Sequence, residues 1–222
     1  MGKVAAFIPI KTNSTRAPGK NFRVLNGKPL YQHIIDHAIE ANCFDCIYID
    51  SDSEEILDYA DTNYLQLIER DPELAKDTAN GNDLLWNHYQ RYPEYVLYFQ
   101  LFATAPFLKP KTIRDCVETL TDWGSFFRSE LDSICTATHE KGWFWKTSNT
   151  PLYRPDILPR SQDAGYLIKE TTGLYGVTRE ALEKYKCRIG ANPYFIPVDK
   201  VEAMDLDTEE DFKLAEVLCE LQ

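Results

Sequence analysis

Val4-Ala5-Ala6-Phe7-Ile8-Pro9-Ile10-Lys11-Thr12-Asn13-Ser14-Thr15-Arg16-Ala17-Pro18-Gly19-Lys20-Asn21 decides the fold. Its first five residues are apolar and read as a buried first strand. From Lys11 onward it turns polar and basic, with small residues and a Pro18-Gly19 step, so it reads as a loop rather than a helix. A loop at the carboxyl end of the first strand of an α/β sheet is where such folds bind ligands. The charge is uneven in the same place. Residues 1–35 contain Lys3, Lys11, Arg16, Lys20, Arg23 and Lys28 and no acid, although the 222-residue chain carries a net charge of −11. A concentrated positive loop on an acidic protein points to a bound polyanion such as a nucleoside triphosphate. Phosphate oxygens need backbone N–H groups and cations. Ser14, Thr15 and Gly19 permit close backbone approach, and Lys11, Arg16 and Lys20 supply the charge. Neither G-x-x-x-x-G-K-[ST] nor G-x-G-x-x-G is present.

Outward from this loop, strand and helix patterns alternate. Apolar residues at helical spacing cover 29–41, with Pro29 at a first-turn position. Ile47–Ile49 is a strand, and Ser51-Asp52-Ser53-Glu54-Glu55 opens a helix that runs to about Ala60. Tyr64–Ile68 reads as a strand, 82–91 as a helix, and Tyr95–Leu101 as a continuous apolar strand in the centre of the sheet. Pro110 opens a helix to about Leu120, and Ser133–Ala137 is a strand. Residues 138–172 break the alternation, with Trp143, Phe144, Trp145, Tyr153 and Tyr166 set among polar residues. An excursion of this length inside one domain is usually functional or an interface. Leu174–Val177 is a strand, 179–186 a helix, Ile196–Val198 a short edge strand and 209–221 the last helix. Asp205-Leu206-Asp207-Thr208 reads as the end of one more strand, and Thr208 with Asp211 as a loose capping box. This order predicts one domain over 1–222, α/β in three layers on a mostly parallel sheet.

Composition excludes several classes. The acidic balance argues against nucleic-acid binding and against docking on anionic lipid. No run of eighteen apolar residues occurs, so no membrane span is expected. The first residues do not read as a signal peptide, and a cytoplasmic protein is the expectation. Cys43-Phe44-Asp45-Cys46 is a C-x-x-C without a second ligand pair, and reads as a helix end and a strand start. Asp50-Ser51-Asp52 is a D-x-D that reads better as a helix N-terminus than as a metal site. The four histidines, His33, His37, His88 and His139, show no ligand spacing.

Ile8-Pro9-Ile10-Lys11, Ser14-Thr15-Arg16, Pro18-Gly19-Lys20-Asn21 and Asn26-Gly27-Lys28-Pro29-Leu30 together resemble the opening of the acylneuraminate cytidylyltransferases, the CMP-sialic acid synthetases, and of the related CMP-Kdo synthetases. The resemblance continues in order through Arg70–Ala79, Ala103-Thr104-Ala105-Pro106-Phe107, Arg160-Ser161-Gln162-Asp163 with Thr172-Gly173-Leu174-Tyr175, and Asp205–Asp211. It implies a Rossmann-like nucleotidyltransferase fold, a homodimer and Mg²⁺. The implied reaction is attack by the anomeric hydroxyl of a 2-keto-3-deoxy sugar acid on the α-phosphate of CTP, with loss of pyrophosphate. Carried over by position, Lys11, Ser14, Arg16, Lys20 and Asn21 hold the triphosphate and ribose, with Lys20 at the α-phosphate. Arg70, Ala79 and Gly81 line the nucleotide pocket. Asp205 and Asp207 hold Mg²⁺; their i, i+2 spacing would put both carboxylates on one side of a strand. Arg160 is the expected partner of the sugar carboxylate, with Gln162 and Tyr175 beside it. The excursion would reach across the dimer, with Trp143, Trp145 and Lys146 at an interface or a neighbour's sugar site.

The chain also departs from the family's pattern. Lys11 stands where Arg is usual, Gly81 where a base-contacting Ser is common, and Phe102 where a sugar-contacting Gln is usual. Three readings stay open on sequence: a synthetase for a sialic acid-like sugar, one of the Kdo type, and a nucleotide-binding relative without turnover.

Overall fold

A computed structural model describes residues 3–12, 18–63, 65–122, 131–158 and 160–221. Ser14, Thr15 and Arg16 of the first loop lie outside them. The first strand, β1 (Val4–Ile10), is buried on both faces. Its alternate side chains sort into two cores. Val4, Ala6, Ile8 and Ile10 pack with Ile34, Ile35 and Ala38 of helix α1 (Leu30–Ala41), Ile56 of α2 (Glu54–Thr62) and Ile113 of α4 (Pro110–Asp122). Ala5 and Phe7 pack the opposite way, with Leu85 of α3 (Gly81–Arg91) and Leu182 of α5 (Arg179–Tyr185). Helices therefore cover both faces of the sheet, as a near-continuous apolar strand requires.

Among the described residues the main sheet has seven strands, in the order β5-β4-β1-β6-β8-β7-β9. These are β4 (Cys46–Ser51), β5 (Gln66–Glu69), β6 (Leu97–Leu101), β7 (Ser133–Lys141), β8 (Tyr166–Thr178) and β9 (Pro193–Pro197). β1 pairs in parallel with β4 on one side and with β6 on the other, so the chain order reverses at β1. β8 runs antiparallel to both β6 and β7. The sheet is mostly parallel, and β6 is central as its apolar run predicts. β9 and β5 are the two edge strands.

Three local readings are corrected. Asp205-Leu206-Asp207 joins no sheet; it runs through a loop before α6 (Glu209–Glu220). Residues 138–172 do not interrupt the sheet throughout. Thr138–Lys141 pairs with Tyr166–Lys169, so β7 and β8 run on as a two-stranded arm, and the irregular part is confined to its tip. β5 is Gln66–Glu69, so Leu65 precedes it; Tyr64 of the expected strand lies outside the described residues. A small hairpin, β2 (Val24–Leu25) and β3 (Lys28–Pro29), also follows the first loop. Asn26 (φ 46°) and Gly27 (φ 80°) form its turn, where positive φ at both central residues favours this pair.

The caps agree with the sequence. Thr208 and Asp211 form a reciprocal capping box on α6, and Asn80 and Asp83 form another on α3. Asp50 is not a helix cap, because Ser53 caps α2.

Candidate active site

A cleft of about 310 Å³ opens at the carboxyl ends of β1, β5 and β6, beside the strand where the chain order reverses. Open α/β sheets bind ligands at such crevices. Pro9, Lys11, Lys20, Asn21, Arg70 and Ala79 line it, with Gly81, Phe102 and Thr104. Six positions expected at the nucleotide are thus gathered here from separate segments: Lys11, Lys20, Asn21, Arg70, Ala79 and Gly81.

Each is held by local chemistry. Gly19 adopts φ 67°, which turns the loop into a single 3₁₀ turn, Lys20–Phe22. That turn buries Lys20 and Asn21 beneath the cleft. Asn21 Nδ2 donates to the carbonyl of Lys11 at 2.8 Å and ties the two ends of the loop together. Lys11 Nζ pairs with Asp77 Oδ1 at 2.6 Å, across to the segment that carries Ala79.

Lys20 Nζ lies 2.7 Å from Asp207 Oδ1 and 3.4 Å from the carbonyl of Leu206. Leu206 explains how the aspartates arrive. It is fully buried with Leu25, Leu30 and Phe212, and its N–H donates to the carbonyl of Thr104. The residues on either side project from this anchor. Asp205 Oδ2 accepts from Thr172 Oγ1 at 2.6 Å, whereas Asp205 Oδ1 is buried with no hydrogen-bond partner. Thr172 sits at φ 60°, a left-handed conformation rare for a β-branched residue. Such strain costs on the order of 1–3 kcal/mol and collects at functional sites.

Arg70 is anchored by a buried ion cluster that the sequence did not reveal. Arg70 Nε donates to Asp50 Oδ1 at 2.9 Å, and Arg70 Nη2 donates to the Asp50 carbonyl at 2.7 Å. His88 Nε2 lies 2.7 Å from the other oxygen, Asp50 Oδ2. Burial holds the His88 imidazole below its ordinary pKa, against the pull of Asp50, so the neutral ring donates through Nε2–H. Burial raises the Asp50 carboxyl, but the hydrogen bond from His88 and the charge of Arg70 outweigh it and leave the net value lowered. Asp50 is therefore an ionised clamp that fixes the cleft's arginine. The signal for it was an acid inside the apolar strand Ile47–Ile49 extended to Ser51; its partner His88, 38 residues on, could not be read from spacing.

The residues expected at the sugar are not brought together in one chain. Tyr175, on β8, is buried, and Phe102 of the cleft wall meets it edge to face at 6.3 Å. Arg160 and Gln162 lie on the arm instead. Arg160 is exposed and paired with Asp163 at 2.7 Å, and the backbone carbonyl of Gln162 accepts from Lys141.

A sequence-family model described as "Cytidylyltransferase" matches residues 5–221. The chain belongs to that family. It is 29% identical to the CMP-N,N'-diacetyllegionaminic acid synthase of Legionella pneumophila, over 99% of this chain and 97% of the relative. It is 26% identical to N-acylneuraminate cytidylyltransferase A of Danio rerio over 96% of this chain, but spans only about half (50%) of that relative's length. A pseudaminic acid cytidylyltransferase of Campylobacter jejuni is 27% identical over 97% of this chain and 96% of the relative. Among solved structures, a CMP:2-keto-3-deoxy-manno-octonic acid synthetase complexed with CTP superposes with a TM-score of 0.71 at 18% identity, covering 99% of both chains. This likeness confirms the nucleotidyltransferase fold of the family.

Proposed function

We propose that this protein joins CMP from CTP to a 2-keto-3-deoxy sugar acid of the nonulosonic type. The observation that carries this reading is that Lys20, which lines the cleft, meets Asp207 at 2.7 Å. That contact joins the basic opening loop to the acidic segment 187 residues later, and Lys20 shares the cleft lining with Arg70. The curated relatives of similar size and their sugar-acid substrates support the same class.

The reaction is a phosphoryl transfer, so position and charge dominate. The sugar's anomeric oxygen bonds to the α-phosphorus, the bond to the bridging oxygen breaks, and pyrophosphate carries the electron pair away. The hydroxyl proton is released. Lys11 and Lys20 neutralise the triphosphate, with Lys20 at the α-phosphate where charge builds. Ser14 and Arg16 belong to the same loop. Asn21 fixes that loop's shape, and Arg70, Ala79 and Gly81 enclose the nucleotide.

Asp205 and Asp207 fit Mg²⁺. Among the described residues Asp205 Oδ1 is a buried oxygen without a hydrogen-bond partner, and Mg²⁺ is commonly held by one or two carboxylates together with substrate phosphates. Among the described residues no cluster of three or more His, Cys, Asp or Glu could hold a metal alone, so the substrate would complete the site. When bound, the ion supplies charge neutralisation to the phosphates.

The protein is further proposed to work as a homodimer. Trp143, Trp145, Leu152, Ile157, Tyr166 and Ile168 are large apolar residues of the arm exposed to solvent. Exposed apolar surface of that kind marks an interaction site. Arg160 and Gln162 ride on the same arm, so they would belong to that contact. Among the described residues no helix is long and apolar enough to cross a membrane. All six thiols are free, which suits a cytoplasmic setting.

The test is pyrophosphate release from CTP and Mg²⁺ with N-acetylneuraminate, N,N'-diacetyllegionaminate, pseudaminate, Kdn and Kdo. Release with at least one acid is expected. CTP binding by calorimetry without release from any acid would overturn the synthetase reading and leave a nucleotide-binding protein.

A further inference from the structure

Among the described residues, Arg188 is a cation without a counter-ion next to the cleft. It lies between α5 and β9 and is half-buried. Its guanidinium carbon stands 3.7 Å above the centroid of the Tyr175 ring and 5.6 Å from that of Phe102. The backbone N–H of Arg188 donates to Asn82 Oδ1 at 3.1 Å, which ties this residue to the first turn of α3. Among the described residues no carboxylate pairs with the guanidinium, and none of its N–H groups makes a hydrogen bond. Glu170 instead accepts from the hydroxyl of Tyr175 at 2.8 Å.

Its place has been kept open. A Cβ at Gly81 would lie 2.5 Å from Arg188 Nη1 and 3.2 Å from Gln100 Oε1. Any other residue at 81 would push the guanidinium aside. Gly81 and Phe102 both line the cleft, so the guanidinium lies directly behind two of its lining residues, against Tyr175. A stacked guanidinium keeps its N–H edge free, and that edge matches a carboxylate with two parallel hydrogen bonds.

Resting on the reading that the second substrate is a sugar acid, we propose that Arg188 binds the carboxylate of that acid within the same chain. Gly81 leaves the space, Tyr175 and Phe102 hold the guanidinium flat, and the carboxylate supplies the missing charge. Arg160, paired with Asp163 on the arm, is the alternative that the experiment tests against it.

The experiment compares the acid of the panel with the highest turnover against its methyl ester, in the full-length protein and in Arg188→Gln and Arg160→Gln. Arg188→Gln should lower kcat/KM for the acid by about 10–100-fold, as loss of a hydrogen bond to a charged group does, and leave the ester nearly unchanged. The variant should therefore lose discrimination between acid and ester, while the CTP dissociation constant by calorimetry stays at the parent value. Arg160→Gln should keep the discrimination. A structural role alone would weaken CTP, acid and ester together. Discrimination retained in Arg188→Gln, or lost in Arg160→Gln instead, would overturn the proposal. Parent protein that binds CTP but turns over none of the acids would instead overturn the function on which the proposal rests.

Discussion

Replacing Asp50 by Asn tests the buried cluster behind the cleft. Asp50, Arg70 and His88 have side chains no more than 3% exposed. At 2.9 Å and an effective dielectric constant of about 20, the Asp50–Arg70 attraction is about 6 kcal/mol. Desolvation costs several kcal/mol per ion, so the intact pair adds little net stability. Breaking it is different, because Arg70 keeps its charge. The amide of the Asp50→Asn variant can still accept from Arg70 Nε. Its N–H₂ can face His88 if the ring moves its proton to Nδ1, which has no partner now. What remains is one uncompensated buried guanidinium, a loss of about 3–5 kcal/mol. For a chain of this size that lowers the melting temperature by about 6–20 °C. Urea denaturation followed by tryptophan fluorescence measures it. The double variant Asp50→Leu/Arg70→Met should recover most of the stability, since apolar replacements of a buried pair are often neutral, yet bind CTP poorly. An Asp50→Asn variant within about 1 kcal/mol of the parent would refute the argument that Arg70 depends on this carboxylate. Parent-like CTP affinity in the double variant would separate the cluster from the site.

The same cluster sets a pH dependence. An unfolded histidine takes up a proton near pH 6.5 and native His88 does not, so stability should fall as pH drops below about 6.5. The lowered carboxyl of Asp50 adds a loss of the same sign. Its contribution is full above the unfolded value near 3.9 and disappears as pH falls through the native value. Burial also lowers His33 and His37, so urea titrations between pH 7.5 and 4.5 should show a steady decline that His88→Gln reduces in the upper part of the range; an unchanged slope in that variant would exclude His88 as a source. Asp207→Asn should cut turnover at least about 100-fold while far-ultraviolet circular dichroism stays native; near-parent turnover would remove Asp207 from the reacting end of the cleft. Gly176→Ala places a Cβ 2.4 Å from Phe99 Cε1 across the β6–β8 pair, and should cost about 1–3 kcal/mol in urea denaturation through overpacking. A neutral result there would mean that Phe99 can turn away within a core where it is fully buried.

The parts of this protein that were legible in its sequence are those written locally. Val4–Ile10 shows a buried strand because both faces are covered, and the basic run after it marks the loop at its carboxyl end. Asn26-Gly27 also announced a hairpin, a signal that could have been read, since both residues take positive φ there. The arm was hidden for a physical reason. Leu167 and Ile168 are adjacent and both exposed, so their strand has no core face and no period of two to betray it. The Asp50–Arg70–His88 cluster was hidden because its members meet only through packing. Asp205 and Asp207 lie between these cases. Their alternation suggested a strand, yet no strand pairs with them. The alternation comes from Leu206, which is drawn into the core against Phe212 and Leu30 and is tied to Thr104 by its N–H and to Lys20 by its carbonyl. One buried leucine with both backbone groups bonded does what a ladder would do: it fixes the direction of its neighbours. That is why the alternation suggested a strand where there is a loop, and why Leu206, rather than a sheet partner, sets Asp207 against Lys20.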